Sequence, residues 1–218
     1  MKKIFVCLLL LMLAVPACAE ENIPLFKEYY YGMPYDAVKK ISHATPCKGE
    51  MTKDKLCMPN DISFGKQKWT QIFSFSDGKL TQVLLGKKAE RNNLESAMET
   101  IGGNGYSMLL VSTKTKRLDV IASSRLDGED PGRLLRTFVH ENSSEEKMIF
   151  SFFDDKTINK ILADSGIKDF YAFQEAAPIG VRSVDVTLNN NFLILQFLAP
   201  KAALLDKEKN KQEIKEKF

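Results

Sequence analysis

The chain has 218 residues, 44% of them hydrophobic and fourteen of them Phe, which suffices for a packed core and excludes a disordered chain. Its formal net charge is +3, and two of its Lys stand at positions 2 and 3. Without them 29 basic residues face 28 acidic ones, so no basic excess points to nucleic acid.

In chain order the first element is a leader. Lys2 and Lys3 precede an apolar run, Ile4 to Val15, and Pro16 leads into Ala17-Cys18-Ala19. A charged start, a short apolar stretch and a small-residue cleavage pattern are the layout of a secretory signal peptide. The run is shorter than the roughly 20 apolar residues that span a bilayer, so no integral membrane span is expected. Cleavage after Ala19 gives a soluble protein in the periplasm or outside the cell. The alternative is a lipoprotein signal, with Cys18 lipidated at the outer membrane. Val15 and Pro16 occupy places where such signals favour Leu and a small residue, so ordinary cleavage is the expected route.

Export decides how the cysteines read. Cys7 leaves with the leader, and Cys18 leaves or becomes an anchor. Cys47 and Cys57 remain, and an oxidising compartment predicts a disulfide between them. Closing a loop of about eleven residues stabilises by about 2–3 kcal/mol in the chain-entropy model. Nine intervening residues suit neither a C-x-x-C redox pair nor a metal pair.

The next elements are a helix over Tyr35–Ile41 with Pro34 in its first turn, a polar disulfide loop, and a short strand at Ile62–Phe64. Trp69, Phe73 and Phe75 then alternate with Thr70, Ser74 and Ser76, the period of a half-buried strand. Asp77-Gly78 predicts a tight hairpin turn, with Lys79–Leu85 returning. From Ile72 to Leu85 the chain matches its own segment Ile149–Leu162 at seven of fourteen positions. That self-match predicts a second hairpin turning at Asp154-Asp155, although the missing Gly leaves open a helix from Thr157 to Leu162.

Between the two copies, Leu94, Ala97, Met98 and Ile101 form one apolar helix face, expected to close at Gly102-Gly103. Strands are expected at Tyr106–Ser112, Arg117–Ala122 and Leu134–Val139. A last hairpin pairs Val181–Leu188 with Leu193–Phe197 across Asn189-Asn190-Asn191, and Lys201–Phe218 reads as a solvated charged helix with a Glu213–Lys217 pair. The expected class is α+β: two related helix-plus-antiparallel-sheet units with an extra C-terminal β-hairpin. The expected organisation is a signal peptide at 1–19, repeat units at 20–88 and 89–165, the hairpin at 166–200, and the tail at 201–218.

No catalytic set emerges. His43 and His140 lie in separate segments outside any metal-ligand spacing, and no G-x-S-x-G is present. Asp127, Glu129 and Asp130 share a loop but depart from the calcium-loop pattern, and Asn142-Ser143-Ser144 fits a glycosylation sequon. No catalytic residue, cofactor or metal is therefore expected. Tyr29-Tyr30-Tyr31 is the one segment that suggests recognition, because Tyr offers contact area with a polar tip.

Gly32-Met33-Pro34-Tyr35-Asp36-Ala37-Val38-Lys39-Lys40-Ile41, followed by Trp69–Phe75 and Asp77–Val83, resembles BamE-like (SmpA/OmlA) envelope proteins. The same stretch is similar to the repeat units of β-lactamase-inhibitor-like domains. The resemblance covers about 55 residues and implies a small helical segment on a three-stranded antiparallel sheet. With the leader and the cysteine pair, the expectation is an exported cell-envelope protein that binds an envelope protein partner without catalysis. The competing expectation is an exported hydrolase or small-ligand carrier whose site is assembled from residues distant in sequence.

Overall fold

The computed structural model describes residues 22–49, 54–126 and 130–215. The leader, Cys18, Asp127, Glu129 and Lys217 lie outside the described residues. A two-stranded ribbon, β1 (Pro24–Phe26) and β2 (Tyr29–Tyr30), leads into α1 (Tyr35–Ser42). Then come β3 (Thr45–Pro46), β4 (Lys55–Cys57) and β5 (Ile62–Phe64), and the long hairpin of β6 (Gln67–Ser76) and β7 (Lys79–Lys88). After α2 (Arg91–Gly103) follow β8 (Tyr106–Ser112), β9 (Arg117–Asp119), α3 (Val120–Leu126) and α4 (Pro131–Glu141). The chain ends with β10 (Lys147–Asp154), α5 (Asp155–Leu162), α6 (Phe170–Ala176), β11 (Ser183–Asn189), β12 (Phe192–Leu198) and α7 (Pro200–Lys215).

The α+β class holds. Ten strands join one antiparallel sheet in the order β3-β4-β6-β7-β12-β11-β10-β8-β9, with β5 added to β6. The C-terminal hairpin lies in the middle of this sheet, between β7 and β10. One face carries the main core. Register places Leu85, Leu195, Val186, Phe150 and Val111 side by side across five strands, each at most 1% exposed. Val38 of α1 and Ala97 and Ile101 of α2 close over this face. A second core forms at the β8–β10 end, where Ile121, Ile158, Ile161, Phe170 and Phe173 of α3, α5 and α6 cover Leu109 and Phe153.

The predicted first hairpin is present, and Asp77 (φ 50) and Gly78 (φ 72) make its turn with two left-handed residues. The second copy departs from the first. Its strand repeats the inward placement of Phe150 and Phe152, but Asp154 starts a helix instead of a turn. The Asp154 carboxylate accepts from the Thr157 amide (3.0 Å) and the Thr157 hydroxyl (2.9 Å), the side-chain cap that an Asp-Gly turn lacks.

Three further expectations are corrected. Leu134–Val139 is helical: Asp130 caps α4 by accepting from Gly132 and Arg133, Pro131 sits in its first turn, and Leu134, Leu135, Phe138 and Val139 share the helical spacing. The strand from Arg117 ends at Asp119, whose carboxylate accepts from the Ala122 and Phe170 amides and so turns the chain into α3. Gly102 and Gly103 lie inside α2. The helix closes at Asn104, followed by Gly105 with φ 78.

Candidate functional site

Cys47 and Cys57 form the expected disulfide, with Cα atoms 5.1 Å apart, and staple β3 to β4 at the sheet edge. The other sequence-derived candidates do not come together. His43 ends α1 in left-handed backbone (φ 55), whereas His140 is exposed in the last turn of α4. Among the described residues no group of three His, Cys, Asp or Glu is placed to hold a metal ion. Asn142 of the sequon is 3% exposed and its Nδ2 donates to the Phe138 carbonyl at 2.7 Å, so it presents no acceptor for a glycan.

The tyrosine triplet is divided. Tyr29 is 4% exposed and packs edge-on against Phe73 with ring centroids 4.6 Å apart, so it offers a partner almost no surface. Burial, and next Glu28, push its hydroxyl up to about 12. Tyr30 is half-buried against the main core. Tyr31 donates its hydroxyl to Asp206 at 2.7 Å and so ties the N-terminal segment to α7.

The open surface lies elsewhere. Helices and the β1–β2 ribbon pack on the core face of the sheet, whereas helices pack on the opposite face at the β8–β10 end. Across β6, β7, β12, β11 and β10 the outer face carries Ile72, Leu84, Ile194 and Ile149, with Leu198 beside them. All five are half-buried, and none belongs to either core. Ile72, Leu84, Ile194 and Leu198 form an aliphatic patch, and Thr187 of β11, 6% exposed, separates Ile194 from Ile149. Antiparallel sheets commonly solvate one face, but with polar residues.

A polar seam crosses the patch. Gln196 Nε2 donates to Gln82 Oε1 at 3.3 Å, and register sets Gln196 beside Asp185 and Asp185 beside Ser151. Burial raises the affinity of the Asp185 carboxyl for its proton, while a hydrogen bond with Ser151 and the charge of Lys147 act the other way. Outward aliphatics of this kind leave a sequence signal. Ile72-Phe73, Leu84-Leu85, Ile149-Phe150 and Leu193-Ile194-Leu195 set apolar residues side by side where a strand with one wet face alternates.

No described helix is long and apolar enough to cross a membrane. Set against family models, curated proteins and solved structures, the chain matches none of them.

Proposed function

We propose that this protein is an exported, non-enzymatic binding module of the bacterial cell envelope, and that the outer face of its sheet receives an envelope protein partner. The leader layout and the resemblance of Gly32–Val83 to BamE-like proteins support the compartment, and the Cys47–Cys57 disulfide suits it. The observation that carries the binding role is the aliphatic patch of Ile72, Leu84, Ile194 and Leu198, which packs in neither core. Each of these side chains keeps part of its surface open to solvent, and apolar surface grouped in this way on a folded domain marks an interaction site. A matching partner presents aliphatic side chains to the patch and one cation or amide donor to Asp185. That donor offsets the cost of covering the carboxyl.

The test places a photoreactive side chain at Leu84 of the full chain in intact cells. The expected result is one discrete crosslinked protein, lost when Ile194→Lys is added and absent when the probe sits at exposed Lys68. The same adduct at both positions, survival of the adduct in Ile194→Lys, or an adduct with twice the chain's own mass would each overturn the proposal. An unchanged thermal transition of Ile194→Lys shows that the fold is intact.

A further inference from the structure

On the core side of the sheet, away from the patch, lies a cleft of about 510 Å³ that opens to solvent. Small-molecule sites span roughly 300–1,000 Å³. Its floor is aromatic. Phe26 of β1, Phe64 of β5 and Phe197 of β12 pack against one another with ring centroids 4.7–5.8 Å apart. One wall is the turn from β5 to β6, pressed onto α2 so closely that a Cβ on Gly65 would stand 2.3 Å from Thr100 Oγ1. The opposite wall is the start of β8 and β11, with Tyr106, Arg182 and Val184.

The charge on this cleft is one-sided. Among the described residues Lys27 and Arg182 line it, and no Asp or Glu does. Each cation rests on an aromatic ring: Lys27 Nζ lies 5.3 Å from the Phe26 centroid and Arg182 Cζ lies 5.6 Å from that of Tyr106. Asp154, the acid next to Arg182 in the fold, spends its carboxylate on Thr157 and on the Arg182 main-chain amide. Burial holds the Tyr106 hydroxyl in its neutral, donating form. An aromatic floor, with two cations and the Tyr106 hydroxyl in a lining that also holds Ser63, Thr100 and Asn104, matches a molecule with an apolar body and one carboxylate head. The planar fork of Arg182 suits that head.

We propose that this cleft binds a fatty-acid-like carboxylate, its chain on Phe26, Phe64 and Phe197 and its head between Lys27 and Arg182. The proposal is independent of the protein-binding face. The test titrates the full chain by calorimetry with dodecanoate, dodecanol and dodecyltrimethylammonium, each below its micelle concentration, and with acetate. Dodecanoate is expected to bind at one site, with dodecanol at least tenfold weaker and the cation and acetate giving no saturable heat. Arg182→Gln and Lys27→Gln are each expected to weaken dodecanoate by about tenfold and leave dodecanol unchanged. Trp69, the single tryptophan, donates Nε1 to the Phe64 carbonyl at 3.2 Å, so its emission is expected to shift on binding. Equal affinity for dodecanoate and dodecanol, full affinity in Arg182→Gln, or no binding of dodecanoate would overturn the assignment. Leu84→Glu on the far face is expected to leave the titration unchanged, so failure here and failure of the partner reading are separate results.

Discussion

Asp185 stands on an aliphatic surface, and its carboxyl is costly there in the charged form. Its folded pKa is raised above the unfolded one, so the folded state holds the proton more tightly. The cost is absent below the ordinary carboxylate pKa. It grows as the pH climbs through the raised value and is complete above it. Asp185→Asn is therefore expected to raise the Tm by a few degrees at pH 7, with the gain shrinking as the pH falls towards 4. Thermal melts of both proteins from pH 4 to 8 check this, and a constant difference across that range would refute it. Gln71 is a second polar residue in an apolar setting, 2% exposed on the core face of β6, and its Nε2 has no partner among the described residues. Such a donor costs about 1–3 kcal/mol. Its alternation with Trp69 and Phe73 marks it as inward, but residue type alone reads as outward.

At the scale of elements, the decisive junction is the end of β10. The self-match continues across it, yet β6 turns into a strand and β10 into a helix. Asp154 is responsible. Its carboxylate caps α5, accepts the Arg182 amide at 3.2 Å and is 4% exposed. Asp154→Ala removes the cap and leaves the Arg182 amide unsatisfied, which together cost about 2–4 kcal/mol. Urea denaturation is expected to show that loss, and a change below about 0.5 kcal/mol would mean that α5 is held by packing alone. Arg125 of α3 holds the other end of α5, donating to the carbonyl of its last residue, Leu162, and to those of Asp164 (2.9 Å) and Ile167 (2.5 Å) beyond it.

At the scale of the molecule, the C-terminal hairpin joins the two halves. β12 pairs with β7 and β11 pairs with β10, so the last strands made fill the centre of the sheet. Without them, β7 and β10 present long unpaired edges, which template aggregation. A chain ended after Arg182 is expected to lose its cooperative thermal transition and to aggregate. Retention of a transition near the parent Tm would show that the halves fold separately. The same arrangement delays much of the non-local pairing until the chain is complete, and such topologies fold slowly.

Local chemistry made several features readable from sequence. The Asp77-Gly78 turn, the apolar face of α2, the strand alternation of β6, β11 and β12 and the Cys47–Cys57 pair all follow from turn conformation, periodicity and cysteine count. Leu134–Val139 reads as a strand and the second copy reads either as a hairpin or as a helix from Thr157, because a short apolar run suits strand and helix alike; Leu134–Val139 and Thr157–Leu162 are both helical. The arbiters were the cap bonds of Asp130 and Asp154. Sheet order, the aliphatic patch and the cationic cleft belong to the tertiary structure alone. Phe26 and Phe197, or Leu84 and Ile194, become neighbours only once distant strands pair, and no local preference records which face the helices will cover.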